Sequence, residues 1–296
     1  MTSGSRNTRR RDHRRPKSSP RNGQKPIVSH GWNTTTLTSE ADVLQLLLEM
    51  QGSCWLSRGH SRCHESLVPS LDRDPFRGLG RSEKLERERR SIDQFRSTAR
   101  FFSSPGEQAA LVDDFIALMV LRHHGVPTRL LDWSASPYVA AYFAVCGHDQ
   151  VDGELWSFSH LDYAREGKQQ WRRWPETTTD RSGDDDKFEA GLTAFMLEEP
   201  PKWVVALFYP AGFPRQNAQR GAYTLTAQFS LDHATALKDL LVDPSRYQRY
   251  VVSAGLKKEL RETLHQKHGI WRGSLFPDSA GAAETARLGL ADSEIS

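Results

Sequence analysis

The 296-residue chain is predicted to fold as an α+β domain, and three observations predict it. Apolar residues recur at helical spacing through most of the first half. In the second half they alternate with polar residues at the period of a strand. Helices first and strands later place helices against a mainly antiparallel sheet rather than building repeated βαβ units.

Ser39 opens the first helix, which runs to about Met50 with Val43, Leu46, Leu47 and Met50 on one side and Gly52 beyond its end. Cys54 to Arg58 reads as a short strand, followed by a turn at Gly59 and an irregular loop through Leu71. Residues 82–102 form a long charged helix with an apolar stripe of Leu85, Ile92, Phe95, Ala99 and Phe102. Pro105-Gly106 separates it from a helix over Glu107 to His124, where Leu111, Phe115, Leu118 and Arg122 align. Gly125 and Pro127 then mark a bend over 125–135. Ser136 is a good N-cap and Pro137 a good first residue for an apolar helix to Cys146. Residues 153–158, 203–209, 222–229 and 250–253 read as strands. The polar, acidic stretch 162–187 reads as a surface insertion. Asp232 caps a short helix, and Leu256 to His268 forms another that ends at Gly269. The domain is expected over residues 32–288, with 289–296 frayed.

Charge is unevenly placed. Seven Arg and two Lys against one Asp give residues 1–30 a net charge of +8; with +3 overall, the remainder carries −5. Residues 1–31 are too poor in apolar side chains to offset ordering entropy and read as a disordered basic tail. Residues 1–29 could tether the chain to nucleic acid. The tail has neither the apolar stretch of a secretory leader nor the amphipathic pattern of a mitochondrial presequence. No run of eighteen apolar residues occurs, so no membrane association is expected. Three cysteines without CxxC spacing argue against a disulfide scaffold or a zinc knuckle and fit a cytoplasmic protein with reduced thiols.

The chemistry concentrates in His123 to Ala144, where His123, His124, Thr128, Arg129 and Asp132 crowd the bend. Neighbouring histidines on a helix point about 100° apart, so the pair cannot share one ion and no metal is expected. One of them is instead expected to hydrogen-bond the Pro127–Asp132 bend. Arg129 and Asp132 are expected to hold the bend together, through a charge-assisted pair or through backbone hydrogen bonds. A helix N-terminus at Ser136, beside Arg and His, is a ready anion site. A serine triad lacks the G-x-S-x-G elbow, and neither common nucleotide fingerprint occurs. Arg58-Gly59 at a strand end would let a guanidinium and a backbone approach a phosphate together, though taken alone a surface Arg before a turn is the more ordinary reading. Gln219, at a strand entry, could bind a ribose hydroxyl or simply open a hairpin.

Taken in order, these blocks resemble the FRG domain family. Trp55-Leu-Ser-Arg58-Gly59 with Leu67-Val-Pro-Ser-Leu71-Asp-Arg73 resembles the naming motif and its downstream block, with Ser57 where Phe is expected. His123 to Ala144 resembles the His-x-Gly-x-Pro-Thr-Arg-Leu-Leu-Asp-Trp signature, with Arg122 where Gln is common. Gln219-Arg-Gly-Ala-Tyr223 and Gly269 to Asp278 resemble the later blocks, so the resemblance spans about residues 40–288. The layout is also similar, at a distance, to the ADP-ribosyltransferase superfamily. That similarity implies a sheet that can be split and NAD as substrate, with no metal. It further implies ADP-ribose transfer to an unknown acceptor, protein or nucleic acid, as in a toxin or defence effector. Arg58 and Gln219 would be catalytic. Arg58, Gly59, His123, Thr128, Arg129, Asp132, Ser134, Ser136, Tyr138 and Tyr142 would hold NAD. The alternative is a non-catalytic module that binds a nucleotide or nucleic acid.

Overall fold

Apart from Met1, the computed structural model describes residues 31–52, 54–101, 105–171, 202, 204–208 and 214–288. The expected basic tail, most of the insertion and the expected frayed C-terminus lie outside these residues.

Seven strands form one sheet in the order β1-β7-β4-β2-β3-β6-β5. They are β1 Asn33–Leu37, β2 Trp55–His60, β3 Leu130–Ser134, β4 Gly153–Ser159, β5 Val204–Leu207, β6 Gly221–Thr226 and β7 Tyr247–Val252. Only β1 and β7 run parallel. The chain is therefore α+β with a mainly antiparallel sheet, but strands and helices interleave in both halves. β1 and β3 were not legible as strands. Leu130-Leu-Asp-Trp-Ser134 shows little alternation because both its faces are covered, and four of its five residues are buried.

The centre of the sheet is its weakest seam. β2 pairs with β4 through six residues and β3 with β6 through five, whereas β2 and β3 share only Ser57↔Ser134. Beyond that contact the strands part. The carbonyl of Asp132 takes its hydrogen bond from the Arg58 guanidinium, at 2.5 Å, instead of from a β2 amide.

Strand register assigns the layers. On one face, α1 (Glu40–Met50), α4 (Pro137–Val145) and α8 (Lys257–His268) cover β1, β7 and β4. On the same face, α2 (Arg81–Ala99) and α3 (Asp114–His123) cover β3, β6 and β5. The opposite face packs Leu56, Leu131, Trp133, Trp156 and Phe158 against α5 (His160–Trp171) and α7 (His233–Leu240). Three short helices complete the described chain: α6 (Pro214–Ala218), α9 (Arg272–Leu275) and α10 (Ser279–Leu288).

The local signals explain the helix ends. Ser39, Ser136 and Asp232 accept from the first turns of α1, α4 and α7. Gly269 closes α8 at φ +64°. The expected helix over 107–124 is broken: a 3₁₀ turn at Pro105–Leu111 ends, and Asp113 caps α3 afresh. The start of the expected insertion is helical, because Tyr163 of α5 is buried and its hydroxyl donates to the Val204 carbonyl at 2.7 Å.

α2 buries Ile92 and Ala99 of its expected apolar stripe and packs Phe95 against the core, but the same face also takes in two charged residues. Lys84, Glu88, Ile92 and Ala99 are buried. Lys84 donates to Asp72 at 2.7 Å, and Arg129 forks onto Glu88. The expected Arg129–Asp132 pair is thus absent, since residues three apart in an extended strand point to opposite faces.

Gly59 continues β2 where a turn was expected, and packing fixes it as glycine. A Cβ there would lie 1.8 Å from the Ala140 carbonyl oxygen of α4. Gly59→Ala is expected to push α4 off β2 and cost roughly 1–3 kcal/mol. A urea midpoint equal to that of the parent would contradict this packing.

Candidate functional site

The parting of β2 from β3 opens a cleft of about 590 Å³ on the face covered by α3 and α4. Its floor is small: Ser57, Gly59, Ser134 and Gly221 share that face by register. α4 contributes Ala140 and Phe143, the end of α3 contributes Arg122 and His123, and α6 contributes Arg215 and Gln216. Gln219, Tyr223 and Phe276 close the remaining sides.

Arg58 alternates to the opposite face from Ser57 and Gly59, so its guanidinium reaches the cleft through the split. Nε donates to His60 Nε2 at 2.8 Å and Nη1 to the Asp132 carbonyl. Nη2 makes no hydrogen bond to the described residues. Burial lowers this guanidinium to about 10, which keeps it charged at neutral pH.

The tautomer of His60 follows from its partners. Nε2 accepts from Arg58, so Nδ1 carries the hydrogen and donates to Glu154 at 2.9 Å. Fully buried Glu154 also accepts from Arg249 at 2.7 and 3.0 Å and from the His64 amide at 3.0 Å. Burial pushes the Glu154 carboxyl up, but its hydrogen bonds to His60 and His64 outweigh this and hold it well below the usual range. His60, His64 and Glu154 bring potential metal-ligand atoms within 4.8 Å of one another. Their donors and charge are already committed: Arg249 balances the carboxylate, and Nδ1 ligation by His60 would put an N–H against the Arg58 Nε–H.

Asp132 sits opposite Tyr223 in the β3–β6 register. Arg122 forks onto its Oδ2 at 2.8 and 2.6 Å, and Arg58 Nη1 lies 3.6 Å from the same oxygen. Burial raises this carboxyl, but Arg122 and then Arg58 overcome that and hold it below its ordinary value. Gln219 donates from Nε2 to the Leu275 carbonyl at 3.0 Å, which fixes its amide and leaves Oε1 as an acceptor. Arg215 donates to the His123 carbonyl at 3.1 Å, pairs with Asp278 at 2.9 Å and lies over the Phe276 ring.

Of the residues singled out in the sequence, Arg58, Gly59, His123, His124, Asp132, Ser134 and Gln219 line the cleft. Thr128, Arg129, Ser136, Tyr138 and Tyr142 do not. Thr128 is buried, its amide donating to Ser70 Oγ and its own hydroxyl accepting from the Leu130 amide. Arg129 is held by Glu88. Ser136 is spent capping α4, whose middle rather than its N-terminus borders the cleft. Tyr138 packs on His268 and Tyr142 on Phe143. His124 meets Glu107 at 3.3 Å. The sequence reading missed Arg122, Arg215, Gln216, Tyr223 and Phe276 as site residues. Tyr223 and Arg122 stand inside or beside the quoted blocks, so proximity to those blocks was the available signal.

Acid is expected to destabilise this protein. Burial lowers His60 and His123 to about 4 and His233 to about 3, so all three are neutral in the fold. In the unfolded chain they would titrate near 6.5. Between pH 6.5 and 4 the unfolded state therefore binds more protons, and stability falls as pH falls. The urea midpoint at pH 5 should lie below that at pH 7.5; equal midpoints would contradict the neutral assignments.

The FRG domain family profile matches residues 53–153. The matched stretch contains β2, the signature block and α4, and ends where β4 begins. No curated protein and no solved structure matches the chain. No helix among the described residues is long and apolar enough to cross a membrane.

Proposed function

We propose that this chain, an FRG domain protein, binds NAD in the cleft between β2 and β3 and transfers ADP-ribose from it to an acceptor. One observation carries the reading. The sheet parts at Ser57↔Ser134, and a cleft of about 590 Å³ there gathers Arg58 and Gln219 from distant parts of the chain. Its volume lies within the roughly 300–1,000 Å³ of small-molecule sites.

The free Nη2 of Arg58 suits a pyrophosphate oxygen as a charge-assisted donor. Gln219 Oε1 suits a ribose hydroxyl, because its amide is already oriented by Leu275. Tyr223, Phe143 and Phe276 offer aromatic faces for a planar ring. The bond to nicotinamide breaks with little covalent help once both ends of the dinucleotide are held.

The test is incubation of the protein with adenine-labelled NAD and cell extract. Release of nicotinamide, with label passing to a macromolecule, is expected. NAD bound but recovered intact would instead establish the non-catalytic nucleotide-binding module, a reading that the uncharged Gln219 favours. Failure to bind NAD would remove the transferase reading and leave only a module for another nucleotide or a nucleic acid. The basic tail is proposed as a nucleic-acid tether, to be read as loss of salt-sensitive binding when residues 1–29 are deleted.

A further inference from the structure

We propose that Asp132 is the catalytic carboxylate of this cleft, an anion set to face the positive charge that develops on the ribose as the nicotinamide bond breaks. The inference rests on the NAD reading above. Among the described residues that line the cleft, Asp132 is the one with a carboxylate. Its two oxygens are unlike. Oδ2 is anchored by Arg122 in a fork. Oδ1 takes no side-chain hydrogen bond from the described residues, and the side chain is 43 % exposed although its strand is buried. One oxygen fixes the group and the other is open to a ligand.

The chemistry needs such a group. When the bond between ribose C1′ and the nicotinamide nitrogen breaks, its electron pair leaves with nicotinamide, which becomes neutral. Positive charge then spreads over C1′ and the ring oxygen of the ribose. Gln219 is uncharged and can hold a hydroxyl but not balance that charge. The arginines on Asp132 keep it ionised and make it a weak base, so it acts as a fixed anion rather than a proton acceptor. With water as acceptor, its oxygen bonds to C1′ and its proton leaves to solvent. The products are ADP-ribose, nicotinamide and one proton.

The experiment measures nicotinamide release at saturating NAD and, separately, NAD affinity by calorimetry. Asp132→Asn is expected to slow release roughly 100- to 1,000-fold while affinity stays within a few-fold. Asp132→Glu, which keeps the charge, should recover part of the rate, and formate should restore part of the rate of Asp132→Gly. If Asp132→Asn does not fold because Arg122 is left unpaired, Asp132→Asn with Arg122→Met removes that hazard and should bind NAD yet remain slow. Release by Asp132→Asn at the wild-type rate overturns the assignment while leaving the NAD reading intact. So does a loss of release that only follows a loss of affinity. A wild-type protein that neither binds nor cleaves NAD overturns the NAD reading, and this assignment with it.

Discussion

Arg58→Ala is expected to weaken NAD binding by roughly 10- to 100-fold, the equivalent of about 1.5–3 kcal/mol for a charge-assisted contact. Arg58 does three things at once. Nε meets His60, Nη1 meets the Asp132 carbonyl, and Nη2 is free for a phosphate oxygen. Arg58→Lys should fail nearly as badly, because an ammonium lacks the planar fork that serves three directions. The substitution also leaves the Asp132 carbonyl without a donor at the seam of the sheet, so some stability is lost with the affinity. Calorimetric titration with NAD, read beside a urea midpoint, separates the two. Unchanged affinity in a folded Arg58→Ala protein would move the pyrophosphate elsewhere, with Arg215 the next cleft guanidinium to test.

The largest effect on stability is expected from Glu88→Ala, at roughly 3–5 kcal/mol, because it strands a buried guanidinium. Glu88 is the ion-pair partner of Arg129, and both side chains are nearly sealed, at 6 % and 7 % exposure. Phe229 lies over the same guanidinium at 5.0 Å and cannot replace the carboxylate. Replacing both partners, with Glu88→Leu and Arg129→Met, should recover much of the loss, since the pair also costs desolvation. Chemical denaturation of the single and double variants checks this. A Glu88→Ala midpoint near that of the parent would mean Arg129 finds water or another acceptor.

The local signals in the sequence read well where chemistry and geometry are local. Ser136 and Pro137 announced α4, and Gly269 announced the end of α8. Arg58 was legible as an odd residue at an expected strand end, although β2 in fact runs on through Gly59 to His60, and Gln219 as one at a strand entry; both line the cleft. What escaped was set by faces. α4 is apolar all round, so nothing in its sequence says which side meets the sheet seam. Tyr138 and Tyr142, four apart on one face, look away toward His268 and Phe143. Phe143, on another face, lines the cleft.

The pairing of charges was misread for a related reason. Arg129 and Asp132 are near in sequence but extended, which sends them to Glu88 and Arg122. The buried polar face of α2 was invisible because Lys84 and Glu88 look like solvated helix charges until Asp72 and Arg129 are placed beside them. That the sheet could split was implied by the superfamily likeness alone; where it splits was not legible, since that depends on where two distant strands stop pairing.

The most direct measurement is a crystal structure of the protein with NAD bound. The expected result is density across the cleft, with the pyrophosphate on Arg58 and the nicotinamide-side ribose between Gln219 and Asp132. An empty cleft at saturating NAD, or a dinucleotide bound away from the β2–β3 split, would contradict NAD binding at this site.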